Sequence, residues 1–323
     1  MKKKILNILL IFVFMQYNFS YAEDIEREEI KSDKIIKKIK KGENIALENF
    51  IIKGDLDFTQ IAEDIQVSKN KFRSYLKNSF IFSNCIFEGK VFSFKKEEKE
   101  EKEYLVNFEK NLIFFSCEFK EEVNFKEAII NGISNFSNSK FLKKLTFEGV
   151  FFNYQNVYFT GSIFEKKVKF QRAVFLGNAN FLKTKFKGKT SFQSSIFKGN
   201  AQFGASNFNE RLDFSNIIVH GNLFFNQSVF YNNILFNNSI FKNRAEFVGT
   251  KFLIDSDFTE VVFSGKTSFS KANFSGKINF TSVVFFIGKP NIENLKIDGN
   301  INFILENAQY LKTENLKNID FKK

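Results

Sequence analysis

Phenylalanine recurs at a fixed period of eleven, without a break, at Phe170, Phe181, Phe192, Phe203, Phe214, Phe225, Phe236, Phe247, Phe258, Phe269 and Phe280. A second series of the same period runs through Phe164, Phe175, Phe186, Phe197, Phe208, Val219, Phe230, Phe241, Phe252, Phe263, Phe274 and Phe285. The two interleave in steps of five and six. Upstream, Phe125, Phe136 and Phe147, with Phe119, Ile130, Phe141 and Phe152, continue both, and a one-residue slip falls around residues 153–158. A fixed period of this kind means stacked units, none of which can bury its apolar face alone. Forty-eight Phe in 323 residues exclude a disordered chain, which is poor in aromatics.

A helix does not fit the pattern. Five residues along a helix rotate the side chain by about 140°, so the two series would lie on separate faces with no seam. A strand does fit, because residues i and i−2 share a face. Two residues before each Phe stands a small or apolar residue, such as Ala179, Thr184, Thr190, Ser195, Ala201 or Ser206, and the residue between is often polar, as in Asn180, Lys185, Ser191 and Gln202. Each unit therefore reads as a very short strand with Phe and its small partner inward. Gly177, Gly188, Gly199, Gly221, Gly265 and Gly276 close six-residue steps, with Asn232 and Asn243 at equivalent places. Both residue types tolerate positive φ, the conformation expected of an extra corner residue.

On these residues the chain resembles the pentapeptide-repeat family, whose unit is a pentad with a central Leu or Phe and a small residue two before it. Ser191-Phe192-Gln193-Ser194-Ser195-Ile196-Phe197 and Ala272-Asn273-Phe274-Ser275-Gly276 match that unit, and the resemblance covers roughly residues 45–305. It implies an all-β solenoid: a right-handed quadrilateral β-helix with one pentad per side. Here two of the four sides are lengthened by one, giving twenty-two per coil. About ten coils are expected, a rod roughly 50 Å long at about 4.8 Å per stacked strand.

The ends read differently. Residues 1–22 carry Lys2, Lys3 and Lys4, an apolar run over 5–15 and then Ser20-Tyr21-Ala22, the pattern of a secretory signal peptide, with an uncleaved anchor as the alternative. Export to the periplasm or the extracellular space is the expectation. No later stretch approaches 18 consecutive apolar residues, so no membrane span is expected in the mature chain. Residues 23–44, with Ile25, Ile30, Ile35, Ile36 and Ile39 among charges, predict a short helix capping the first coil. The repeats occupy 45–303, interrupted by a charged segment over 95–106, expected to be a solvated loop or else a docking arm. Residues 304–323 are the expected C-terminal cap.

Removing residues 1–22 lowers the net charge from +12 to +9, because three lysines and no acid are lost. Residues 166–209 contain no acid and nine cations: Lys166, Lys167, Lys169, Arg172, Lys183, Lys185, Lys187, Lys189 and Lys198. Lys167 and Lys189 are one coil apart and should stack, an unfavourable pairing for stability. A basic belt of this kind attracts polyanions: acidic lipid headgroups, envelope polysaccharide or nucleic acid. Plain solubilising lysine is the other reading.

Cys85 and Cys117 both stand two before a Phe, separated by one coil plus a ten-residue loop. They are expected on adjacent coils, either as a disulfide or as two free thiols filling small core slots. Asp55 with Asp57 and Asp255 with Asp257 read as structural acids in outward slots or at corners, with glycoside chemistry as the other reading, and the single histidine, His220, as a corner residue on the surface. No catalytic set, metal site or cofactor motif stands out.

Three functions compete. The first is a non-enzymatic exported scaffold that binds an unidentified protein or an anionic envelope component, with a homodimer as one form of assembly. The second is a carbohydrate-active β-helix enzyme, which needs a carboxylate-lined cleft beside 95–106. The third, implied by the resemblance, is a DNA mimic that binds type II topoisomerases; it needs an acidic cytoplasmic rod, whereas this chain is basic and carries an export segment. Nucleic acid is for the same reason not expected as a partner in the cell.

Overall fold

The computed structural model describes residues 26–61, 65–154 and 156–298, together with the backbone of Phe303–Ile304 and Gln309–Tyr310. The expected signal peptide and most of the expected 304–323 cap lie outside these residues. Among them no helix is long and apolar enough to cross a membrane.

The chain winds into four parallel sheets that form the sides of a solenoid. One coil shows the plan. Side one holds Asn178–Asn180, side two Lys185–Phe186, side three Thr190–Ser191 and side four Ile196–Phe197. Each strand pairs with its equivalent one coil later: Ala179 with Ala201, Lys185 with Asn207, Thr190 with Leu212, Ile196 with Ile218. Sides one and three have five residues and sides two and four have six, so each turn contains two eleven-residue units. The slip is real: Ser134 pairs with Val157, so that coil holds one residue more than its neighbours.

There are about twelve turns rather than ten. The strands beyond the expected repeats lie at both ends, before residue 45 and after residue 303. Strand β1 (Glu28–Lys31) stacks in parallel on Phe50–Lys53, and Lys296–Ile297, Phe303–Ile304 and Gln309–Tyr310 extend three sides at the far end. Helix α1 is Ser32–Lys40, shorter than the capping segment expected, because the residues before it join the sheet. It buries Ile35, Ile36 and Ile39, with Asp33 in its first turn and Lys37, Lys38 and Lys40 in its last, each on the favourable side of the helix dipole.

The core is four columns of phenylalanine. Within the column of side one, Phe181 and Phe225 each stack on Phe203 with ring centroids 4.8 Å apart. Between sides one and three the rings interlock edge to face: Phe192 meets Phe203 at 5.3 Å and 83°. All of these rings are fully buried.

The corners correct the expectation about glycine. Positive φ belongs to the five-residue sides, at Arg172 (58°), Lys183 (56°), Ser194 (58°) and Ala205 (54°). There the chain reverses in a four-residue turn, as where the Ser195 N–H donates to the Phe192 carbonyl at 3.0 Å. Gly188, Gly199, Gly221, Gly265 and Gly276 on the six-residue sides do not have left-handed φ. They are needed for close approach instead. A Cβ on Gly188 would overlap the Lys166 carbonyl, one on Gly221 the Gly199 carbonyl, and one on Gly265 the Asn243 carbonyl.

The charged segment over 95–106 is a hairpin, not a loop. Strand β2 (Ile65–Ser68) runs antiparallel to β3 (Lys71–Leu76), and β4 (Phe94–Glu97) antiparallel to β5 (Lys102–Phe108). Strands β3 and β5 pair in parallel, so these four make a wing extending side four. Opposite charges stand across the hairpin, Lys96 opposite Glu103 and Glu97 opposite Lys102, while the ion pairs run along its arms, Lys95 with Glu97 and Lys102 with Glu100. Phe72 stacks on Tyr104 at 5.4 Å, and Lys126 Nζ sits 4.4 Å from the Phe94 ring.

Candidate functional site

The nine belt cations are distributed around the rod. Lys185 and Lys187 point out from side two. Lys166, Lys167 and Lys189 crowd the edge between sides two and three. Lys169 is on side three and Arg172 closes it, Lys183 closes side one, and Lys198 is on side four. Three are paired to acids of the preceding turn: Lys169 with Glu148 at 3.4 Å, Arg172 with Glu148 at 2.6 Å, and Lys187 with Glu165 at 2.9 Å. Lys198 Nζ lies 3.3 Å from His220 Nε2. Desolvation first, then the charges of Lys198 and Lys242, hold His220 below the usual imidazole range. Lys166, Lys167, Lys183, Lys185 and Lys189 make no ion pair among the described residues. The strand register that carries Val168 onto Thr190 puts Lys167 and Lys189 on adjacent turns of one edge.

Cys85 and Cys117 also sit on adjacent turns, since the Glu118 N–H donates to the Cys85 carbonyl at 2.9 Å. Both are buried free thiols in this structure. Their column continues as Ser139, Ser162, Thr184, Ser206, Ser228 and Thr250, and it has a role the residue pattern did not reveal. Each hydroxyl donates to a buried Phe carbonyl of the preceding turn, Ser206 to Phe181 and Ser228 to Phe203 at 2.6 Å each. The Cys117 thiol takes the same part, donating to the Phe82 carbonyl at 3.5 Å. Burial pushes its pKa well up.

The paired acids hold turns. Asp57 accepts from the Thr59 N–H at 2.8 Å and hydroxyl at 2.6 Å, and Asp257 accepts from both groups of Thr259. Asp55 accepts from the Lys90 N–H at 2.8 Å and Asp255 from the Lys277 N–H at 2.9 Å. Beside the hairpin, Lys71 Nζ bridges Glu127 at 2.7 Å and Glu103 at 3.5 Å. Burial opposes ionisation of Glu127, yet the Lys71 hydrogen bond holds its carboxyl below the ordinary range. Among the described residues no group of three or more His, Cys, Asp or Glu could hold a metal ion.

A family model described as pentapeptide repeats (9 copies) matches residues 170–218, inside the stretch where five- and six-residue sides alternate without interruption. Over those residues the chain carries pentapeptide repeats, and the same four-sided solenoid with its Phe columns continues on either side of them. No curated protein and no solved structure matches the chain. The pentapeptide-repeat fold accounts for the Phe columns and the small-residue columns, and leaves the outward side chains free to vary.

Proposed function

We propose that this protein is an exported, non-enzymatic β-helical scaffold that binds an anionic component of the cell envelope through its basic surface. The observation carrying this reading is the acid-free stretch 166–209, six of whose nine cations make no ion pair among the described residues. Export rests on the lysines, apolar run and Ser20-Tyr21-Ala22 of the first 22 residues. The regular surface supports a binding role over catalysis: the paired aspartates are engaged in backbone capping and the carboxylates by the wing in ion pairs.

The test is binding of the purified protein to vesicles containing phosphatidylglycerol, to polygalacturonate and to duplex DNA, each at low and high salt. The expected result is salt-sensitive binding to at least one, lost when Lys167, Lys183, Lys185, Lys187 and Lys189 are changed to Glu. Binding to none of the three overturns the reading.

A further inference from the structure

Each six-residue side has one lengthening residue, and on the edge between sides two and three these residues stack one per turn. Four successive positions are Lys144, Lys167, Lys189 and Arg211. Their turns are joined directly: the Leu145 N–H donates to the Lys167 carbonyl at 3.1 Å, Val168 to Lys189 at 3.0 Å and Thr190 to Arg211 at 3.1 Å. All four side chains are exposed and make no ion pair among the described residues. Lys143 and Lys166 precede two of them in the same corner; Glu210, beside Arg211, is the acid within this run, and Glu122 and Asn233 bound it. Lys143, Lys144 and Arg211 lie outside the acid-free stretch, so the column forms only when the chain is coiled.

The opposite edge shows what the fold asks of such a position. There four successive lengthening residues are Asn156, Asn178, Asn200 and Asn222, followed on the next two turns by Arg244 and Lys266. Asn178 Nδ2 donates to Asn156 Oδ1 at 3.0 Å, and the Asn200 and Asn222 N–H groups donate to Asn178 and Asn200 Oδ1 at 2.8 Å each. An amide oxygen satisfies the backbone of the next turn. Lysine and arginine have no acceptor to offer, and stacking them in register adds repulsion. The cations therefore do not serve the fold.

We propose that this column binds a linear anionic polysaccharide lying parallel to the solenoid axis, one charged sugar per turn. The inference rests on the polyanion reading above. Stacked strands repeat at about 4.8 Å, so four cations span about 14 Å along the axis. A polymer with one carboxylate or phosphate per sugar ring carries charge at a comparable interval. Duplex DNA carries one charge per about 1.7 Å of axis and has no such match. A lipid surface is planar and engages whole sides rather than one edge.

The experiment uses the full chain with polygalacturonate and its oligomers of defined length, measured by calorimetry. One variant carries Lys144→Asn, Lys167→Asn, Lys189→Asn and Arg211→Asn; the other removes the same charge outside the belt, with Lys242→Gln, Lys251→Gln, Lys266→Gln and Lys271→Gln. Wild-type affinity should rise with oligomer length and level off once the ligand spans the column. The column variant should lose about tenfold or more at low salt, and the other variant less than about threefold. The column variant should also melt higher than wild type, because it extends the amide ladder, so its loss of binding cannot come from misfolding. Equal losses in both variants overturn the column while leaving the polyanion reading intact. Binding of vesicles or DNA without binding of polygalacturonate overturns the ligand class alone. Binding of nothing overturns both.

Discussion

At the scale of single residues, the stability of the rod is concentrated in rings that have no freedom to relax. Phe203 stacks on Phe181 and Phe225 and meets Phe192 edge to face. Phe203→Ala is expected to cost about 3–5 kcal/mol, read by chemical denaturation. Corner positions give opposite signs for glycine. Ser194 holds φ at 58°, and Ser194→Gly should stabilise by up to about 1 kcal/mol as strain is released. Gly221→Ala should destabilise by about 1–3 kcal/mol, because its Cβ meets the Gly199 carbonyl. Glycine frequency marked the corners correctly in the sequence but suggested the wrong cause, since residue type does not distinguish a needed φ from a needed gap. His220 supplies a pH prediction. Its folded pKa lies below its ordinary value of about 6.5. Below that value the unfolded chain takes up a proton that the folded chain resists, so stability present at neutral pH is lost as pH falls through the lowered folded pKa. Proton titration by NMR should place His220 below the usual range, and Lys198→Gln should move it up.

Among the elements, the column containing Cys85 and Cys117 shows how one slot accepts several chemistries. Ser139 and Ser162 occupy it on the next two turns and donate to Phe114 and Phe136 carbonyls at 2.7 Å. Cys117→Ser should therefore melt within a few degrees of wild type. Alkylation reads the thiols themselves: no label on the folded protein, and two labels after unfolding without reductant. Failure to label after unfolding, with full labelling once reductant is added, identifies a disulfide instead. The small residue two before each Phe was legible from the sequence, but its hydroxyl's partner was not. That partner lies more than a full coil back along the chain, as Phe181 does from Ser206, and no local pattern names it. The hairpin was hidden for a related reason. Its charges read as a solvated run until the opposed Lys96–Glu103 and Glu97–Lys102 pairs are placed across two strands.

For the whole molecule, the four sides and the Phe columns followed from a period readable by eye, whereas β1 and Gln309–Tyr310, outside residues 45–303, were not legible because they lack the aromatic beat. The belt was visible as a gap between acids, but its wrapping around the rod was not. Edge membership depends on a residue's place within a coil, and the register changes by one between Ser134 and Val157. Because each turn holds two equivalent eleven-residue units, the interior does not distinguish one unit from the next. Deleting 179–200 removes a full turn and should leave a shorter rod with every downstream side chain on its original side. Deleting 190–200 should also leave a folded rod, with a cooperative melt and an unchanged far-ultraviolet spectrum. Everything beyond the cut would, however, be rotated by half a turn, carrying Arg211 from the lysine edge to the asparagine edge. Core and surface thus keep different phases: the interior has a two-fold screw that only the outward residues break. Gain or loss of a single unit is silent to folding and yet re-addresses every exposed group after it, so one short duplication could split or assemble a charged column in a single step.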